Sequence, residues 1–135
     1  MAYDANDIEE WCKAEWERWK ADCSGFAKAV CVHAGARLHG QANHLLDYFE
    51  NAVEWENLGA DPARAIARAG GGTLVVGGLK QRPNGHVVVV VKSQPSLYPL
   101  AYWGRLGAIG RQRTSVNWSW NRNDLALVKY YGYKL

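Results

Sequence analysis

Residues 87 to 91 are five consecutive valines, the longest unbroken run of large apolar residues in the chain. Valine is stiff at χ1 and packs well on a pleated surface, so the run predicts a β-strand. A half-exposed strand alternates apolar and polar residues. This one does not, so both of its faces are buried and it lies inside a sheet. Pro83-Asn84-Gly85 marks a turn before it and Gln94-Pro95-Ser96 a break after it. A run this short cannot span a bilayer. The rest of the chain must therefore bring apolar cover to two sides of one sheet.

That cover is legible upstream. Asn6 followed by Glu9 has the form of a capping box, and Ile8, Trp11, Cys12, Trp16 and Trp19 recur behind it at roughly helical spacing. Glu9, Glu10, Lys13, Glu17 and Arg18 fill the other side. A helix this amphipathic buries its stripe, so the tryptophans read as core rather than as a sugar-stacking surface. From Cys23, apolar or small residues fall at Phe26, Ala27, Val30, Cys31 and Ala34, spacings of 3, 4, 7, 8 and 11. These form one face of a second helix, with Gly35 placed for a left-handed cap. Ala42, Leu45, Leu46, Phe49 and Val53 mark a third helix. Asn57 to Asp61 reads as a loop, and Asp61-Pro62 opens a short fourth helix that ends at Gly70-Gly71-Gly72. This glycine triplet follows a helix and precedes a strand, the reverse of a phosphate-binding turn.

Thr73 to Val76 is the first clear strand, and Gly77 to Gly85 reads as its connection to the valine strand. Leu100 to Gly104 comes next, then a glycine-rich turn at Gly107 and Gly110. Val116-Asn117-Trp118-Ser119-Trp120 alternates as a strand, and Leu127 to Tyr133 is a final aromatic strand. On such a strand Trp118 and Trp120 share a face, which reads as core packing rather than a glycan platform. Helices first and an antiparallel sheet after them is the α+β class. The length of 135 residues suits one domain, 1–135, with a substantial core.

Composition matters mainly for what it excludes. At 48% hydrophobic and 21% charged, the chain is not disordered. A net charge of +3 without a long basic run does not argue for nucleic acid. The opening Met1-Ala2-Tyr3-Asp4 turns acidic at once and has no apolar signal core, so action outside the cytosol requires another route of export. Three cysteines leave at least one thiol free or paired outside the chain, with Cys12 and Cys31 able in principle to pair. His33, His39 and His44 lie near Cys31 but lack metal-ligand spacing, so neither a metal nor another cofactor is expected.

Two residues stand out chemically. Cys23 opens its helix, where unpaired backbone N–H groups and the positive end of the helix dipole favour a thiolate. His86 stands at the mouth of the buried valine strand, beside Gly85, which cannot obstruct it. A cysteine at a helix start is often an inert core residue, and a lone histidine at a strand end is usually structural. Together they are the two parts of a thiol hydrolase dyad.

Several blocks, in order along nearly the whole chain, resemble one family. They are Asp22-Cys23-Ser24-Gly25-Phe26, Gly40-Gln41-Ala42-Asn43, the stretch from Gly72 to Lys80, and Gly85-His86-Val87-Val88-Val89-Val90. Tyr98-Pro99-Leu100 and the tail from Ser115 to Tyr131 complete the set. The chain is similar to the first family of type VI secretion amidase effectors, small NlpC-type, papain-like cysteine peptidases. The resemblance implies N-terminal helices packed on an antiparallel sheet, with Cys23 as nucleophile and His86 as general base. It implies cleavage of peptidoglycan stems between γ-D-glutamate and meso-diaminopimelate, delivery by the type VI apparatus into a target periplasm, and a cognate immunity protein that blocks the cleft. Membrane insertion is not expected.

The backbone N–H groups of Cys23 and Ser24 are the expected oxyanion donors. In NlpC-type enzymes a third polar residue orients the histidine, and the matching stretch here is Leu100-Ala101-Tyr102-Trp103-Gly104. The aligned residue is Trp103, whose indole donates but cannot accept a hydrogen bond, with Tyr102 as the possible stand-in. Two other functions stay open on the residues alone: a non-catalytic binding module on the same fold, and a cysteine hydrolase acting on another amide.

Overall fold

The computed structural model describes residues 3–134. Helix α1 (Ala5–Trp19) is capped by Asp4, whose carboxylate accepts from the Asp7 N–H at 2.9 Å while the Asp7 carboxylate accepts from the Asp4 N–H at 2.9 Å. The capping box is thus Asp4/Asp7 rather than Asn6/Glu9, because the acid pair sits first in the chain and closes the same reciprocal bonds. Helix α2 (Cys23–His33) is capped by Asp22 and passes through Ala34 to Gly35 at φ +90°, the left-handed position expected of it. Helix α3 (Ala42–Asn51) buries Ala42, Leu45, Leu46 and Phe49, while Val53 lies beyond its end and is exposed. Strand β1 (Trp55–Gly59) precedes helix α4 (Pro62–Gly70), which is capped by Asp61 with Pro62 in its first turn.

Strands β2 (Val75–Leu79), β3 (His86–Val90), β4 (Leu100–Trp103), β5 (Arg111–Ser115) and β6 (Lys129–Tyr133) follow. The sheet has the order β1-β6-β2-β3-β4-β5, with every neighbouring pair antiparallel. The architecture is α+β. β3 is an interior strand, and its side chains divide as the valine run requires. Val87, Val89 and Val91 join the core under α1, α2 and α3, whereas Val88 and Val90 join a second core with Ala65 and Ala69 of α4, Trp103 and Trp120. One sheet is therefore covered on both faces.

Other elements depart from the sequence reading. β1 occupies residues read as loop: Trp55 and Leu58 are buried, and Trp55 pairs with Tyr133 on the neighbouring strand. β2 runs on through Gly77 and Gly78, because a Cβ at Gly78 would stand 2.7 Å from the Leu46 side chain and 2.9 Å from the His86 carbonyl oxygen. The glycines there mark close packing rather than a turn. The alternating stretch 116–120 is not a strand. The strand is the polar edge β5 before it, after which Val116–Trp118 forms a 3₁₀ turn and Asn121 caps the short helix α5 (Arg122–Leu125). Trp118 and Trp120 consequently part company: Trp120 is buried, while Trp118 is 66% exposed with the Arg111 guanidinium 5.1 Å from its ring.

On α1 the fully buried residues are Ile8 and Cys12, and Trp11, Trp16 and Trp19 are half-buried along the border of the core. Glu9, read from its spacing as solvated, is buried. It accepts from Arg113 Nη1 at 2.7 and 2.8 Å and from the Tyr102 hydroxyl at 2.9 Å, which ties α1 to β4 and β5. Cys12, Cys23 and Cys31 are all buried free thiols, so the optional Cys12–Cys31 pair is not formed. His33 bonds Glu15 at 2.9 Å and stacks on Trp11. Among the described residues no group of three His, Cys, Asp or Glu side chains is placed to hold a metal ion, and no helix is long and apolar enough to cross a membrane.

Candidate active site

Cys23 is the first residue of α2 because Asp22 ends the extended approach and takes up orphan donors of the first turn. Asp22 Oδ1 accepts from the Gly25 N–H at 3.0 Å and the Ser24 hydroxyl at 3.2 Å. The Cys23 N–H, at the first helical position, has no acceptor within the helix. Cys23 is only 5% exposed at a surface depression, and the backbone N–H groups of Val87 and Ser24 near its sulfur act to lower its pKa. Strand pairing accounts for the first of these. β4 is in register with Val89 and Val90 only, so the start of β3 is left uncovered toward α2.

His86 and Cys23 line the same depression, with Gln81, Asn84, Arg105 and Leu106 around them. On its far side the His86 ring meets Trp120 edge-on with centroids 5.1 Å apart and Trp103 perpendicularly at 6.3 Å. His86 Nε2 is enclosed there without a hydrogen-bond partner, and so is Trp120 Nε1. Nδ1 is the ring nitrogen left for the cleft. A second depression, lined by Gln41, Asn43, His44 and Pro83, opens on the other side of Cys23.

Electrostatics here run against the expectation of a preformed thiolate. Burial raises the Cys23 pKa, and the Val87 N–H opposes this without overcoming it. Burial, helped by the nearby Arg105 charge, lowers His86 to about 3. A sulfur closed off from water gains less from a helix terminus than it loses in hydration. Both shifts favour thiol and neutral imidazole as the resting pair.

Of the two candidates for orienting His86, Tyr102 points to the opposite face of β4, where its hydroxyl donates to Glu9. Trp103 is fully buried beside His86 and offers no acceptor. The sequence reading did not assign Asn43, Arg105 or Ser119 to the site. Asn43 donates from Nδ2 to the Gln81 carbonyl at 2.9 Å and accepts from the Gln81 N–H at 3.2 Å, which pins the β2–β3 loop to α3. Arg105 Nη2 donates to the Ser119 carbonyl at 3.0 Å and hydroxyl at 2.8 Å. No local periodicity marks such residues, since their partners are distant in sequence.

The cysteine–histidine cleft on helices packed over an antiparallel sheet has a relative of known name. Over 137 aligned positions the chain is 36% identical to peptidoglycan amidase Tse1 of Pseudomonas aeruginosa, covering 92% of this chain and 87% of that protein. The chain belongs to the Tse1 amidase family. No protein-family model matches it. Membership agrees with the α+β architecture, the papain-like, NlpC-type arrangement of helices before a sheet. In this Tse1 relative the wall around His86 is built of two indoles, one of which carries the second orphaned nitrogen.

Proposed function

We propose that this protein is a peptidoglycan amidase that cuts the peptide stem between γ-D-glutamate and meso-diaminopimelate, with Cys23 as nucleophile and His86 as general base and acid. The observation that carries the reading is the shared depression of Cys23 and His86 in a chain of the Tse1 family. Attack starts from the neutral pair. His86 takes the thiol proton as the sulfur closes on the amide carbonyl, so the charge appears only when the bond forms. The Cys23 N–H is the uncommitted donor for the developing oxyanion. The Ser24 N–H beside it faces the sulfur and becomes available as the S–C bond forms. Protonated His86 hands its proton to the departing amine of diaminopimelate, leaving a γ-glutamyl thioester on Cys23. Water, deprotonated by His86, hydrolyses the thioester and restores the thiol.

The wider role is inferred from the family resemblance. The protein acts as an antibacterial effector, carried by a type VI apparatus into the periplasm of a target cell and restrained in its producer by an immunity protein seated over the cleft. The test is digestion of purified Gram-negative peptidoglycan with wild type, Cys23→Ala and His86→Ala, the fragments being read by mass spectrometry. Stems ending in γ-D-glutamate with wild type alone are the expected result. Intact stems with all three proteins would move the function to a binding module or another amide.

A further inference from the structure

One fixed positive charge on the wall of the cleft has no part in the chemistry above. Arg105 lines the depression that holds Cys23 and His86, and no carboxylate lines it. The position of Arg105 is set from several directions. A Cβ at Gly104 would lie 2.2 Å from the Trp19 carbonyl oxygen and 2.5 Å from that of Asp22, so this segment packs directly on the backbone that leads into α2. The Arg105 N–H donates to the Lys20 carbonyl at 3.0 Å, and Nη2 is held by Ser119. Those side-chain bonds occupy one guanidinium nitrogen. Nε and Nη1 have no protein acceptor among the described residues. A half-buried guanidinium, tethered at one nitrogen with the remaining donors free, is preorganised for a carboxylate.

We propose that Arg105 is a specificity residue that binds the free α-carboxylate of the γ-D-glutamyl group on the acyl side of the scissile amide. The inference rests on the proposed γ-D-glutamyl–diaminopimelate bond. In that linkage the carbonyl attacked by Cys23 is the side-chain carbonyl of glutamate. The α-carbon, two methylene groups away, keeps an ionised carboxylate. This carboxylate stays next to Cys23 through the thioester stage, so a counter-charge on the wall of the cleft would hold it through both steps. His86, held neutral by burial, does not supply it. Asp22, which lines the other depression, would repel it there. The polarity across Cys23, cationic toward Arg105 and anionic toward Asp22, thereby fixes the direction in which the stem lies.

The test measures kcat/KM for wild type, Arg105→Gln and Arg105→Lys on L-alanyl-γ-D-glutamyl-meso-diaminopimelyl-D-alanine and on the same peptide with its α-carboxylate converted to the carboxamide. Products are identified by mass. Wild type is expected to prefer the carboxylate by about 10- to 100-fold, chiefly through KM, the range for a charge-assisted pair. Whatever Arg105→Gln loses on both peptides alike through His86 or the Ser119 tether, it should lose that further factor on the carboxylate alone, so that the preference falls to near unity, while Arg105→Lys keeps part of it. Equal losses on both peptides would make Arg105 a staple of its loop and overturn the assignment. A wild type without preference would overturn it too. If wild type leaves the glutamate–diaminopimelate bond of both peptides intact, the product masses show that the bond assignment has failed, and the inference falls with it.

Discussion

Stability and chemistry meet at His86. Burial of its ring, with the Arg105 charge beside it, lowers its pKa from the ordinary 6.5 to about 3. The imidazolium is therefore disfavoured in the fold by on the order of 5 kcal/mol. An unfolded chain takes up this proton as pH falls through about 6.5, but the folded one holds out until about 3. The unfolded state thus binds more protons between those values, and stability falls with falling pH across that window. By pH 4 this one group should have removed about 3 kcal/mol. His86→Gln keeps a polar side chain and cannot titrate. Urea unfolding of both proteins at pH 7, 6, 5 and 4, followed by tryptophan fluorescence, isolates the effect, because titrations common to both cancel in the difference. The stability of wild type relative to His86→Gln should drop by about 3 kcal/mol from pH 7 to pH 4. A constant difference would refute the buried neutral imidazole. A difference that grows in favour of wild type toward acid would mean that the fold prefers the charged ring, paired with a Cys23 thiolate, and the mechanism would then begin from that ion pair.

Two further substitutions test the frame of the site. Glu9→Ala strands the buried Tyr102 hydroxyl, while Arg113, 43% exposed, can regain water, so the cost is about 2 kcal/mol rather than the larger figure for a fully buried pair. Thermal unfolding should show a midpoint lower by roughly 5 °C, and an unchanged midpoint would mean the network contributes nothing net. Asp22→Ala removes the cap of α2 at about 1 kcal/mol and frees the first turn that carries Cys23, so kcat should fall more than stability. Asp22→Asn should restore most of both, and a variant that only raises KM would place Asp22 in substrate binding instead.

Much of the fold was readable because its signals are local. The valine run demanded a doubly covered strand, and Val87 and Val88 do enter different cores. The apolar spacing that begins at Cys23 and the Asp61-Pro62 pair marked true helix starts. The errors fell where distant partners decide. Arg111 to Ser115 forms a strand with little apolar content because the edge of β4 offers it hydrogen bonds, while the better-patterned Val116 to Trp120 turns away. Glu9 looked solvated by its spacing, but Arg113, far along the chain, neutralises it in the interior. Trp103 and Tyr102 are adjacent in sequence, so strand alternation sends one to His86 and the other to Glu9.

The sequence by itself determined the α+β class, the helix that begins at Cys23, the buried strand that begins at His86, and the likeness to an amidase family that the comparison with Tse1 then bore out. All of these rest on periodicity, capping and contiguous motifs, which act over a few residues. Tertiary structure decided the ionisation of the pair, the indole wall behind His86 and the placement of Arg105 on the cleft. Desolvation is the reason. It depends on everything packed around an atom, and a neighbour in sequence carries no record of what the fold brings against it from elsewhere in the chain.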